Sequence, residues 1–226
     1  PVPADYDGDG NMDLGMYRNG TWWYKSSING TYYATAFGGA GVTPLPSDID
    51  GDGKADFVFY SNGTWYRLTR TGAYTTVAFG AAGDIPLVAD MDGDGKSDPT
   101  IFRPSTGTWW YLSSLTGQQR ASQWGASGDV PVPADYDGDG KTDFAVWRPS
   151  NGAWYVNRST LGIKIDVFGM AGDKPVPADY DGDGNADVAI YRPSTGVWYI
   201  LQSTAGFTGL QFGISTDRAI PNSFIP

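Results

Sequence analysis

The sequence contains no cysteine, no histidine and no glutamate. Without cysteine there is neither a disulfide nor a thiolate metal site to staple the chain. Without histidine there is no imidazole base, no Ser-His-Asp triad and no His-ligated metal. The missing glutamate bears on the fold. All 25 acidic residues are aspartate, a turn and cap residue, whereas glutamate is a good helix former. Long apolar runs are also missing, so no segment reaches the ~18 residues of a membrane-spanning helix. Positive charge is scarce: 15 Lys and Arg stand against the 25 Asp, for a net charge of −10. That balance predicts no nucleic-acid partner, which needs a basic face, and no attraction to an anionic membrane. The chain opens directly in a motif, so any signal peptide is expected to have been removed or to lie outside it.

What is abundant is glycine, at 32 of 226 residues, and aromatic side chains: 9 Trp, 14 Tyr and 10 Phe. Tight turns and packed strands need these residues, and they predict an all-β chain with no helix longer than a turn or two. At this length the chain is one domain or one repeat array.

Self-comparison shows the array. Asp-x-Asp-Gly-Asp-Gly-x-x-Asp occurs five times, starting at Asp5, Asp48, Asp90, Asp135 and Asp179, at spacings of 43, 42, 45 and 44 residues. A Trp follows each loop at nearly fixed distance (Trp22, Trp65, Trp109, Trp154, Trp198). An aromatic-Gly pair then closes each unit: Phe37-Gly38, Phe79-Gly80, Trp124-Gly125, Phe168-Gly169 and Phe212-Gly213. The turn before the Trp is Asn19-Gly20 or Asn62-Gly63 in the first two units, a strong hairpin signal. In the other three it is Arg-Pro-Ser-x-Gly, from Arg103, Arg148 and Arg192. The repeats run approximately 1–43, 44–85, 86–130, 131–174 and 175–218, with 219–226 as an extra terminal strand. In the fourth, strands are expected at 131–135, 143–147, 154–157 and 163–168. The second strands, such as Phe57-Val58-Phe59-Tyr60, are apolar on both faces and so need cover on both sides. Sheets stacked around an axis provide it, which predicts a β-propeller of five four-stranded blades, or six if the terminal strand begins another.

Within each loop the carboxylates fall at positions 1, 3, 5 and 9 with glycine at 6: Asp5, Asp7, Asp9 and Asp13; Asp48, Asp50, Asp52 and Asp56; Asp90, Asp92, Asp94 and Asp98; Asp135, Asp137, Asp139 and Asp143; Asp179, Asp181, Asp183 and Asp187. Aspartates at 1, 3 and 5 with glycine at 6 wrap a cation in EF-hand-type loops, where position 7 gives its backbone carbonyl. Here position 7 is Asn11, Lys54, Lys96, Lys141 and Asn185. Position 12, a glutamate in an EF-hand, is apolar here (Met16, Phe59, Ile101, Val146, Ile190), so the last side-chain oxygen must come from position 9. An all-oxygen set suits Ca²⁺. Left empty, four carboxylates in nine residues would repel one another.

The loops, the aromatic-Gly pairs and the period of about 44 residues resemble FG-GAP/VCBS repeats, including integrin α-subunit blades and secreted bacterial proteins. The resemblance implies β-propeller blades with a calcium loop between the first and second strand of each. It makes the aspartates at positions 1, 3, 5 and 9 ligands, with about five structural Ca²⁺ in all. It also implies a secreted or cell-surface protein. Two places depart from the pattern. Pro99 follows Asp98 directly and removes a strand donor, which predicts the weakest site at loop 3. Val42 stands where the other linking turns have Asp84, Asp129, Asp173 and Asp217.

For function, the expectation is a lectin-like module that binds carbohydrate, with binding to an extracellular protein, or a scaffold role, as the alternative. Catalysis is not expected, because no nucleophile is paired with a base. The periodic Trp residues are expected in the core. Trp147, Arg103, Arg148 and Arg192 are ligand candidates, although each Arg also suits an ion pair or an aromatic stack in a neighbouring turn. Association of copies through the extra terminal strand is a further expectation.

Overall fold

The structure, a computed structural model, describes residues 1–220. It is all-β, with no helix among the described residues, and its five antiparallel sheets are propeller blades. The first holds β1 (Leu14–Arg18), β2 (Thr21–Lys25) and β3 (Tyr32–Ala36). The second holds β4 (Thr43–Pro44), β5 (Phe57–Ser61), β6 (Thr64–Leu68) and β7 (Tyr74–Ala78). The third holds β8 (Ile85–Ala89), β9 (Asp98–Arg103), β10 (Thr108–Leu112) and β11 (Gln119–Gln123). The fourth holds β12 (Val130–Pro131), β13 (Phe144–Arg148), β14 (Ala153–Arg158) and β15 (Gly162–Val167). The fifth holds β16 (Lys174–Pro175), β17 (Val188–Arg192), β18 (Val197–Gln202) and β19 (Gly206–Gln211). In four blades the strands follow chain order across the sheet. The first blade is three-stranded. Its innermost segment is held by a single bridge, Ala4 to Asp13, and by the Val2 N–H donating to Gly15 C=O. Residues 219–220 form no strand, and the rest of the expected terminal strand lies outside the described residues.

The chain divides into two compact units, one of Pro1–Phe102 with Trp110–Arg120, the other of Arg103–Trp109 with the chain from Ala121. In the first, Trp22, Tyr6 and Tyr24 of the first blade pack with Phe57 and Phe59 of the second. The other face of β5, with Val58 and Tyr60, packs with Val88 and Ile101 of the third. In the second unit, Trp147 and Trp154 pack with Val188 and Ile190. The two-sided apolar strands are therefore covered on both faces, as their composition requires. β1 differs, with Leu14 and Met16 exposed.

The periodic Trp residues explain how each unit closes. Trp22, Trp65, Trp109 and Trp154 are buried, and Trp198 is partly so. Each indole N–H donates to the carbonyl of the aromatic residue that ends its own unit: Trp22 to Phe37 (2.7 Å), Trp65 to Phe79 (2.9 Å), Trp109 to Trp124 (2.7 Å), Trp154 to Phe168 (2.9 Å) and Trp198 to Phe212 (2.8 Å). A buried indole N–H without a partner would cost about 1–3 kcal/mol, so the ring fixes the unit's last residue as well as filling its core.

Pro99 does not interrupt the sheet. It lies opposite Val88 within a continuous ladder that makes β8 five residues long, against two in β4, β12 and β16. N–H groups alternate sides along a strand. Asp143 N–H points toward the first strand of its blade, so the N–H of the next residue, the counterpart of Pro99, points toward the third. The donor that Pro99 removes is one toward β10, and the pairing with β8 is kept.

Val42 is explained by a second departure. Asp129 and Asp173 each bind an arginine that ends the second strand of the next blade, Arg148 of β13 and Arg192 of β17. The corresponding strand after Val42 ends in Ser61. Acid and base are lost together, and Val42 packs against the core of the first two blades.

The turn glycines give a graded test. Gly152 has φ +67°, and a Cβ there would lie 2.3 Å from Gly169 O. Gly162 has φ +71° with open space around it. Gly162→Ala is expected to cost about 1 kcal/mol, from the backbone alone. Gly152→Ala is expected to cost about 3 kcal/mol, since the two closing segments must also separate. Urea melts of the two variants measure the difference.

Candidate metal centres

Each Asp-rich loop is folded by its own first carboxylate. In loop 5, Asp179 Oδ1 accepts the N–H of Gly182 (2.6 Å) and Oδ2 that of Gly184 (2.9 Å). The same pair of bonds recurs from Asp5 to Gly8 and Gly10, Asp48 to Gly51 and Gly53, Asp90 to Gly93 and Gly95, and Asp135 to Gly138 and Gly140. These glycines have φ between +76° and +88°, which the sharp turn requires and other residues resist. The position-9 carboxylate is buried where the second strand begins, and it accepts the N–H of position 2: Asp187 from Tyr180 (2.9 Å), Asp143 from Tyr136 (2.9 Å).

These bonds bring the carboxylates together. In four loops positions 1, 3 and 9 place oxygens within 4.8 Å of one another: Asp5, Asp7 and Asp13; Asp48, Asp50 and Asp56; Asp135, Asp137 and Asp143; Asp179, Asp181 and Asp187. In loop 3 the set is Asp90, Asp92 and Asp94, so position 5 takes the place of Asp98 there. In all five loops the position-3 aspartate keeps one buried oxygen with no hydrogen-bond partner: Oδ1 of Asp7, Asp50, Asp92, Asp137 and Asp181. A buried, unpartnered carboxylate oxygen is expensive, and here it recurs five times at the centre of a converging acidic set. A hard cation relieves both the lost hydrogen bond and the repulsion, so the residues fit a calcium-type ion.

A second segment, missed in the sequence, holds the other oxygens. It lies just beyond the third strand, four to six residues after the periodic Trp. Ser203 N–H donates to Asp187 Oδ1 (2.7 Å), its Oγ to Asp183 (2.5 Å), and Thr204 Oγ1 to Asp181 Oδ2 (2.6 Å). Ser26 and Ser27, Ser113 and Ser114, and Ser159 and Thr160 act alike on their own loops. The available signal was a Ser/Thr pair recurring with the 44-residue period. Loop 2 is the exception. Arg70 gives Asp56 Oδ1 its N–H (2.7 Å), while its guanidinium binds the Tyr24 hydroxyl and stacks on Tyr24 and Phe57.

Neighbouring loops are joined through the main chain. Ala55 N–H donates to Asp5 C=O (2.6 Å), Ser97 to Asp48 (2.7 Å) and Ala186 to Asp135 (2.6 Å). The position-7 side chains of Lys54 and Lys96 cover Gly8 and Gly51 of the preceding loop.

The sequence-level ligand candidates fall elsewhere. Trp147 is 2% exposed, within the core of the fourth and fifth blades, and has no free face for a ligand. Arg148 binds Asp129 through Nε (2.7 Å) and Nη2 (2.8 Å) and stacks on Tyr155. Arg192 does the same with Asp173 and Tyr199. Both are turn fasteners. Arg103 ends β9, half-buried. Of the paired tryptophans, Trp23 is exposed beside buried Trp22, and Trp110 is half-buried beside Trp109.

Residues 135–190 match the model of the FG-GAP-like repeat. That stretch runs from loop 4 through loop 5, and the other three units carry the same loop, Trp and aromatic-Gly pair. The FG-GAP-like repeat is thus found over residues 135–190, in a chain whose sheets are β-propeller blades. No curated protein matches the sequence. Among solved structures, a lectin of Agrocybe aegerita that recognises non-reducing terminal N-acetylglucosamine is similar, at 17% identity and a TM-score of 0.63 over 94% of this chain. A streptogramin B lyase is similar at 11% identity and 0.62 over 96%, and virginiamycin B lyase from Staphylococcus aureus at 10% and 0.61 over 93%. This chain spans 66%, 69% and 70% of those three chains. At such identities the likeness is one of fold.

Burial pushes the Asp56 and Asp143 carboxyls up to about 7, and that of Asp98 up to about 6, when no cation is bound. In the unfolded chain each titrates near the ordinary value of about 4. Between these limits the folded, ion-free protein holds protons that the unfolded chain has released. Its stability is therefore present at low pH and lost as pH rises through 6 to 7. In chelator, the melting temperature is expected to be higher at pH 5.5 than at pH 8. With a cation bound the trend reverses, because the ion must displace those protons.

Proposed function

We propose that the protein is a calcium-stabilised binding module of secreted or cell-surface origin, whose ligand is carbohydrate. The observation that carries the calcium reading is the unpartnered, buried position-3 oxygen of every loop. Positions 1, 3, 5 and 9 would supply side-chain oxygens, with the carbonyls of Asn11, Lys54, Lys96, Lys141 and Asn185 beside them. The ions' role is structural, since the loops set the start of each second strand. No helix of the described residues is long and apolar enough to cross a membrane. FG-GAP repeats are typical of extracellular proteins, where Ca²⁺ is plentiful enough for modest sites.

Support for a sugar ligand comes from the lectin of like fold and from rings left at the surface. Register places Trp23 and Tyr32 on one face of the first blade, with Trp23 between Ala34 and Met16, and both rings are exposed. Exposed rings are stacking platforms for neutral ligands. The alternative, a protein ligand, would use the same face. Binding is favoured over turnover. A virginiamycin B lyase is inactivated by replacing its histidine with alanine, and this sequence has no histidine. Outside the loops, Asp84, Asp129, Asp173 and Asp217 each accept a turn N–H.

Calcium at millimolar concentration is expected to raise the melting temperature by about 10 °C or more over chelator. Asp181→Asn is expected to lower the ion stoichiometry by one. Equal melting temperatures in the two conditions would refute the calcium reading. A glycan array probed with and without EDTA tests the ligand class. Binding to neutral oligosaccharides, weakened about tenfold by Trp23→Ala, is the expected result. Silence on the array, or sugar release on long incubation, would count against it.

A further inference from the structure

The five outermost strands have the same place in their blades, so differences among them stand out. Along the face that carries Ile165 in β15, the residues are Ile163, Ile165 and Val167. The corresponding residues are Tyr32, Ala34 and Ala36 in β3, Tyr74, Thr76 and Ala78 in β7, Gln119, Ala121 and Gln123 in β11, and Phe207, Gly209 and Gln211 in β19. Only β15 carries three large aliphatic side chains, and these are 61%, 57% and 76% exposed. Leu161 and Met170 beside them are exposed as well.

β15 is also an edge. Its one neighbour in the sheet is β14. Phe168 N–H donates inward to Gly152 C=O. Alternation then points the N–H and C=O groups of Val167, Ile165 and Ile163 away from β14. An exposed strand edge of this kind is a template for pairing with another chain, and proteins usually blunt it with charge or proline. Here Lys164 and Asp166 are the only charges on the strand, and they flank Ile165 symmetrically. Lys164 Nζ lies 3.2 Å from Asp166 Oδ2, yet that oxygen accepts no hydrogen bond.

We propose that β15 pairs antiparallel with β15 of a second copy of this chain, across a two-fold axis at Ile165. In that register residue 163 faces 167, 165 faces 165, and Lys164 of each copy faces Asp166 of the other. The two outward edges exchange main-chain hydrogen bonds at Ile165. Six aliphatic side chains join into one stripe, and two cross-strand ion pairs form on the opposite face. The partner must be a copy because the segment is complementary to itself in both charge order and apolar order. Such an interface is isologous and closes at two copies. Two fourth blades then share one eight-stranded sheet.

The test is the mass of the intact chain in solution, by light scattering and sedimentation equilibrium over a concentration series. The wild type is expected to dimerise reversibly. Ile165→Lys, which sets like charges on the two-fold axis, is expected to be monomeric. Lys164→Asp puts Asp opposite Asp, and is expected to raise the dimer dissociation constant about tenfold or more. Lys164→Asp with Asp166→Lys reverses each pair and is expected to restore dimerisation. That rescue belongs to this register and would not follow from damage to the blade. Far-UV spectra and melting temperatures establish that each variant is folded. If Ile165→Lys is not folded, the charge variants decide alone. A wild type that stays monomeric, an Ile165→Lys that still dimerises, or a failed rescue in a folded double variant would overturn the proposal.

Discussion

Everything in this fold is arranged around carboxylates that must sit together. Four aspartates in nine residues repel, and the chain answers with main-chain N–H groups. The first carboxylate of each loop takes two of them, from Gly8 and Gly10 in loop 1, and winds the loop about itself. The last takes another, from Tyr6, and is buried where the second strand begins. The hydroxyls of Ser26 and Ser27 then bind two more of the loop's carboxylates from across the blade. What remains is one buried oxygen per loop for which the protein has no donor. A loop built this way sets the start of the second strand, and with it the register of the blade.

Much of this could be read from the sequence because it repeats. The two-fold apolarity of Phe57–Tyr60 and Val188–Tyr191 demanded neighbours on both faces, and the Asn-Gly turns fixed two hairpins, with Asn19 and Asn62 both at positive φ. Strand positions in the fourth repeat were close to those observed, although the innermost strand proved shorter, Val130–Pro131. The first blade follows the same letters: its innermost segment, Pro-Val-Pro-Ala-Asp, matches residues 131–135 and makes the same bridge, Ala4 to Asp13 as Ala134 to Asp143.

The acidic sets were legible for the same reason, and the hydroxyl segment was not. Serine and threonine pairs are common in any loop, and only one member keeps its place, five residues after the Trp (Ser27, Ser114, Ser159, Ser203), while the second hydroxyl precedes it in Ser26 and Ser113 and follows it in Thr160 and Thr204. Trp147 was misplaced for a different reason. An aromatic at the end of a strand has two faces to choose from, and the choice depends on the neighbouring blade. The arginines of the Arg-Pro-Ser-x-Gly turns look like ligand contacts in one dimension. In three dimensions Asp129 and Asp173, nineteen residues earlier in each case, have already claimed Arg148 and Arg192.

The bonds that run from one loop to the next use no side chain at either end. Ala55 reaches Asp5, Ser97 reaches Asp48 and Ala186 reaches Asp135 with the same pair of peptide groups. A join made of peptide groups reads no residue letter, so a unit copied within the gene, or moved along it, brings its connector with it. Mutation can then rewrite the outward side chains of one unit without unfastening it from the next. Arrays with such a seam can lengthen or shorten by whole units, and each unit is free to acquire a surface of its own, as β15 has.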